Sequence, residues 1–230
     1  VKFKDLSNYE FLLPPIEDQH SVLELFLAAS LYLEECRDVN NALEISNKVL
    51  VNNSIRGLSE ENPVVKLSDL VEFRTGKLDS NASIENGKYP FFTCAPTTLR
   101  IDDYSFDCEA ILLAGNNAAG VYPLKYYKGK FDAYQRTYVL TIKDTAKVSY
   151  PYLLEVIRTK LELLQRLSVG SSTKFLTMKV LNNIEIPVPS EEIQNSFVDR
   201  VSVINSSLDA SMLNIESFKE VLNSIKRQVF

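Results

Sequence analysis

Histidine occurs once in these 230 residues, tryptophan not at all, and cysteine three times. His20 has no cysteine or aspartate arrangement around it that suggests a triad or a metal. It is expected to be structural or exposed. Cys36, Cys94 and Cys108 are odd in number and fit no metal or redox spacing, which argues against a disulfide framework and for a reducing cytoplasm. No apolar run approaches the ~18 residues of a membrane-spanning helix, so no membrane partner is expected. Glycine is scarce too, at seven, and two of the seven sit five apart in LLAGNNAAGVY, residues 112–122. That spacing opens a phosphate-binding loop. Yet Val121 and Tyr122 stand where such a loop needs Lys and then Ser or Thr. No nucleotide cofactor is expected, and the glycines read as a tight connection after a buried strand. An amino-methyltransferase element, Asn or Asp followed by Pro-Pro-aromatic, is missing as well, since Pro14-Pro15 lies between Leu13 and Ile16. The chain is not expected to be an enzyme by itself, and no catalytic residue, metal ligand or cofactor is assigned.

Acid is what the sequence holds in excess, and it is unevenly placed. Thirty Asp and Glu against 25 Lys and Arg give a net charge of −5, yet residues 120–180 hold 11 basic and 4 acidic side chains. A basic segment is thus bracketed by acidic ones, as a solvated face or an anion-binding footprint would be.

The flanks contain a repeat. KDLSNYEFLLPPIEDQHSV from Lys4 and KVLNNIEIPVPSEEIQNSF from Lys179 align without gaps at an offset of 175. Lys4, Leu6, Asn8 and Glu10 match Lys179, Leu181, Asn183 and Glu185; Pro14, Glu17, Gln19 and Ser21 match Pro189, Glu192, Gln194 and Ser196. In both copies a short apolar strand ends in proline, which cannot continue a ladder. Acidic residues follow where a helix N-terminus favours them, and a long amphipathic helix begins. Val22, Phe26, Ala29, Leu33, Cys36, Leu43 and Leu50 place a seam along the first helix at alternating four-and-three spacing, with Asn40 and Asn47 in it. Phe197, Val201, Ile204, Leu208, Ile215, Phe218, Leu222, Ile225 and Val229 do the same in the second, with Ser211 as the small member. A 3.5-residue period held over roughly thirty residues predicts a coiled coil.

Between the helices the pattern changes. KYPFFTC, AILLAG, GVYPLKYY and TYVLTIK are short, aromatic and β-branched, separated by Gly, Pro, Asn and Asp, and predict strands. KLSDLVEFRTGK from Lys66 predicts a short helix or turn and a strand, and YPYLLEVIRTKLELLQRL from Tyr150 predicts a helix. The fold class is α+β: one mixed domain flanked by two long helices.

These residues resemble the specificity subunit of type I restriction–modification enzymes over nearly the whole chain. The resemblance is carried by FLLPPIEDQ and IPVPSEEIQ before long helices, VVKLSDLVEFRTGK opening the middle domain, and RLSVGSSTKFLTMKVLNNIEIPVP closing it. It implies a target recognition domain that reads half of a bipartite site in double-stranded DNA. It also implies conserved helices, packed as an antiparallel coiled coil, that dock methyltransferase (M) subunits and through them restriction (R) subunits. The expected domains are a tail of a preceding repeat at 1–15, a long helix at 16–56, the recognition domain at 64–187 and a second long helix at 188–230. A full-length member carries two recognition domains and this chain one, so a half-length form, a truncated gene product or an engineered fragment is expected, self-associating as a two-fold homodimer.

The residues themselves point the same way. Lys125, Lys128, Lys130 and Arg136 lie in one strand–turn region, where basic side chains supply phosphate contacts. Ser171, Ser172 and Lys174 lie in a short polar loop after a helix, which reads equally as a phosphate holder or as a helix end plus turn. Arg74 and Lys77 are of the same type, and Gln135 and Asn117 have the amide that reads adenine. Two other classes stay open: a coiled-coil adaptor that binds protein without DNA, and an enzyme of unfamiliar design in the Tyr-rich middle domain.

Overall fold

The computed structural model describes residues 15–118 and 120–229, with side chains as far as Ser224. The strand–proline element at Lys4–Pro14 and the seam side chains Ile225 and Val229 lie outside the described residues. Two compact units divide the chain: one runs from Leu50 to Val201, and the other takes the residues up to Val49 and those from Ser202 on.

The first unit is built on a six-stranded sheet. β2 (Val71–Thr75), β8 (Thr137–Ile142), β5 (Phe106–Ala114), β7 (Leu124–Ala133), β3 (Tyr89–Phe92) and β4 (Leu99–Ile101) lie side by side in that order, all antiparallel except β3 with β7. β5 is central, and Ala110–Ala114 is buried on both faces, which is why AILLA reads as a continuous apolar run and not as an alternation. On one face Ile111, Leu113 and Leu140 join a core with Leu153, Val156 and Ile157 of α3 (Tyr150–Leu167). Ser149 caps that helix, accepting from the Tyr152 amide, and Pro151 stands in its first turn, where its missing N–H costs nothing. On the other face Phe92, Phe106, Leu112, Phe131 and Val139 form a second core, with the Phe106 and Phe131 rings stacked 5.1 Å apart. Two very short ladders complete the unit. β1 (Val64–Lys66) pairs with β10 (Glu185–Pro187), and β6 (Asn116–Asn117) pairs with β9 (Lys174–Phe175). The short helices α2 (Leu67–Leu70) and α4 (Met178–Asn182) stand beside the first of these ladders in sequence.

The long helices α1 (Ile16–Glu61) and α5 (Glu191–Val229) begin at positions 175 apart, so the sequence repeat is also a repeat of helix starts. In the second unit they run antiparallel. Tyr32 packs edge-on against Phe218 at 5.0 Å, Asn40 Nδ2 donates to Met212 Sδ at 3.2 Å, and Asn47 Nδ2 donates to Asn205 Oδ1 at 3.3 Å. Ala29 and Asn40 are buried, and Val22, Phe26, Leu33 and Cys36 are half-buried, as the seam requires. Leu43 and Leu50 are not: they are 51% and 58% exposed. Beyond Asn40 the inward positions on α1 are Asn47, Val51 and Ile55, the last two in the first unit's own core. A straight helix drifts about 20° per heptad from a strict seven-residue repeat, and here α1 follows its own 3.6-residue turn. Among the described residues no helix is long and apolar enough to cross a membrane.

Candidate nucleic-acid interface

β2 ends at Thr75, β5 ends at Ala114, β7 starts at Leu124 and β8 starts at Thr137. The registers Thr75 with Tyr138, Ala114 with Thr137 and Leu113 with Leu124 put these four ends together. Four connections therefore converge there, and Arg136 is their hub. Its carbonyl accepts from the Gly115 amide at 2.8 Å and from Cys94 Sγ at 3.4 Å. The adjacent Gln135 amide donates to the Leu78 carbonyl at 2.9 Å. Gly115 is needed for close approach, since a Cβ there would stand 2.5 Å from the Arg136 carbonyl oxygen. The loop after α3 joins the same end: Leu176 donates to the Gly115 carbonyl at 2.9 Å, and Asn117 lies opposite Lys174 in the β6–β9 ladder. Reciprocal bonds between Val169 and Phe175 close that loop, and Gly170 turns it at φ 112°, a left-handed conformation. The GNNAAG segment thus serves as a docking strand for the Gly-Ser-Ser-Thr-Lys loop, with Ala119 outside the described residues.

Asn117, Gln135, Arg136, Ser171, Ser172 and Lys174 are accordingly gathered at one end of the sheet, with Lys77 two residues beyond β2 on the same side. Lys128 and Lys130 are elsewhere. They lie farther along β7, opposite Glu109 and Asp107 of β5. Lys128 Nζ is 3.1 Å from Glu109 Oε2, and Lys130 Nζ sits 4.6 Å from the Tyr104 ring centroid. The basic segment read from the sequence is therefore partly neutralised across the ladder. Lys125 is on the opposite face of β7, because side chains alternate along a strand. It donates to the Ala95 carbonyl at 3.0 Å and to Thr98 Oγ1 at 3.3 Å, and burial pushes its ammonium pKa down. Arg74 lies 5.2 Å over Phe106, beside Cys108, in a cleft of about 770 Å³ that Lys77 also lines. Gln135 Nε2 reaches Asp79 Oδ2 at 3.4 Å. His20 is exposed on α1.

Sequence reasoning did not single out Phe175, whose ring carries the Arg136 guanidinium at 5.3 Å. Its signal was its place directly after Lys174 in the segment GSSTKF. The site as a whole offers cations, amides and hydroxyls on loops braced by main-chain bonds, the chemistry suited to phosphates and base edges.

A family model, the type I restriction modification DNA specificity domain, matches residues 59–216. The chain belongs to that family. The specificity subunit of the type I restriction enzyme EcoDI from Escherichia coli is 31% identical over 165 residues, which cover 72% of this chain and 36% of that protein. The present chain thus spans about a third of that relative's length. Among solved structures, the S subunit of a type I restriction–modification system from M. genitalium superposes with a TM-score of 0.65 at 17% identity, covering 100% of this chain and 65% of that one. A chain from a structure on complex assembly and conformational transition of the type I R-M system gives 0.66 at 18% identity, covering 100% and 63%. At such identities the likeness is one of fold. That specificity-domain fold holds one mixed sheet unit and two long antiparallel helices, the architecture expected from the sequence.

Proposed function

We propose that this chain is a non-catalytic DNA-recognition subunit of a type I restriction–modification complex, reading half of a bipartite duplex site in the cytoplasm. The observation that carries the reading is the family match together with the convergence of Asn117, Gln135, Arg136, Ser171, Ser172 and Lys174 at one sheet end. Residues 64–187 would be the recognition domain, with 1–15 as the tail of a preceding repeat and 16–56 and 188–230 as the spacing helices. Methylation and cleavage then belong to M subunits and the R subunits they bring. Leu23, Leu27 and Leu31 on α1 and Leu213 on α5, all more than half exposed, supply apolar area for M-subunit docking. Salt-titrated binding to duplex DNA tests the reading. Replacing Lys77 and Lys174 by Ala should weaken binding and flatten the log–log salt slope by roughly 0.9 for each phosphate no longer neutralised. Replacing Lys128, already paired to Glu109, should change it little. An unchanged slope in the double variant rules this surface out, and no DNA binding at any salt favours the protein-only adaptor.

We further propose that two copies assemble about a two-fold axis, giving two identical recognition domains and an interrupted palindromic site. Support comes from the 175-residue repeat, which makes the starts of α1 and α5 equivalent elements that a second copy can present in place of the first. Sedimentation at micromolar concentration decides: a clean 26.0 kDa monomer with and without DNA overturns the dimer.

A further inference from the structure

Several basic side chains of the sheet unit have their donors engaged by the chain itself. Arg100 donates to the Gly87 and Lys88 carbonyls, both at 2.7 Å; Lys143 to the Ser68 carbonyl at 2.7 Å; Lys125 to the Ala95 carbonyl. Lys128 pairs with Glu109, and Arg158 with Glu155. Arg136 is different. Among the described residues its guanidinium meets no carboxylate and no hydrogen-bond acceptor; what it meets is the Phe175 ring. Stacking on an aromatic ring uses the face of the guanidinium plane, while all its N–H donors lie in that plane and point outward. The support is rigid. Phe175 is held in the β6–β9 ladder and by two bonds to Val169, and the Arg136 carbonyl is anchored by Gly115 and Cys94. A planar cation is thus fixed at the sheet end with its fork unengaged, next to Ser171, Ser172 and Lys174, which are suited to phosphate.

We propose that Arg136 is a specificity-determining residue that reads guanine, its fork donating two parallel hydrogen bonds to O6 and N7 in the major groove while Phe175 holds it in place. This rests on the DNA-reading function proposed above. A bidentate arginine–guanine pair is the commonest specific contact and discriminates against a wrong base by roughly 10- to 100-fold. A lysine retains the charge but not the fork.

The test is selection of sites from a randomised duplex pool by the full chain, as wild type and as Arg136→Lys, Arg136→Ala, Phe175→Leu and Lys174→Ala. Wild type should select a motif with guanine at one position that both Arg136 variants lose, by roughly 10- to 100-fold in discrimination, while the other positions stay. Phe175→Leu should prefer the same guanine less strongly. Lys174→Ala should keep the whole motif and bind every sequence more weakly. A wild-type motif without guanine, or an Arg136→Lys variant that keeps the full motif, overturns the proposal; in the second case a uniform drop in affinity marks Arg136 as a phosphate contact. A wild-type chain that binds without selecting any motif overturns the base-reading function itself, a different result from either.

Discussion

Tyr126 donates to Glu109 Oε1 at 2.6 Å on the face where Lys128 approaches the same carboxylate. The bond holds the phenol proton, and Tyr126 is pushed up to about 12, first by this hydrogen bond and then by burial. Glu109 moves the other way, its carboxyl held below the usual range chiefly by the same bond. A raised phenol contributes stability that is complete below the ordinary value near ~10 and is lost as pH climbs through about 12. A depressed carboxyl contributes stability that is complete above its ordinary value near ~4.3 and is lost as pH falls through the lowered one. The pair is therefore whole from roughly pH 5 to 10. Tyr138, Tyr150 and Tyr152 are also raised, chiefly by burial, so absorbance titration in alkali should show several late tyrosines, of which Tyr126→Phe removes one and Glu109→Gln returns one toward ~10. A Glu109→Gln profile identical to wild type would show that the carboxylate does not hold the phenol.

At the scale of elements, the glutamine of the proline–acid–glutamine motif acquires a physical role. Gln194 is 2% exposed in the first turn of α5. Its Nε2 donates to the Lys147 and Pro189 carbonyls at 2.8 and 3.0 Å, and its Oε1 accepts from the Ser149 amide at 2.9 Å. One side chain thus ties the start of α5 to the start of α3. Gln194→Leu strands three backbone groups and should cost about 2–3 kcal/mol, read as a lowered urea midpoint. A midpoint within error of wild type would mean that water replaces all three bonds. This role was not visible in the motif, although its neighbours were: α3 spans the very segment YPYLLEVIRTKLELLQRL that its periodicity predicted. β10 was legible as the short apolar strand that ends in proline, but β1, β6 and β9 were not, because strands of two or three residues have no period to read and owe their register to distant partners. The same holds for the site. Residue types marked Lys125, Lys128, Lys130 and Arg136 together, but strand alternation and cross-strand carboxylates sort them into three places.

At the scale of the whole molecule, the antiparallel seam makes a geometric demand. In a background with the native cysteines replaced by serine, Tyr32→Cys with Phe218→Cys should crosslink within one chain, given ring centroids 5.0 Å apart. Tyr32→Cys with Asn205→Cys should not, since Asn205 lies beside Asn47, fifteen residues and roughly 22 Å away along α1. Efficient crosslinking of the second pair would contradict antiparallel packing. The seam also sets a schedule for biosynthesis. Asn40 and Met212 meet across it but are 172 residues apart in the chain. At roughly 5–20 residues per second, a ribosome takes on the order of ten to thirty seconds to deliver the second after the first. Throughout that interval Val22, Phe26, Ala29 and Leu33 have no α5 to cover them. Nascent chains on one message therefore present matching uncovered stripes to each other before either can close on itself, and the density of ribosomes on that message becomes a factor in how the helices find their partners.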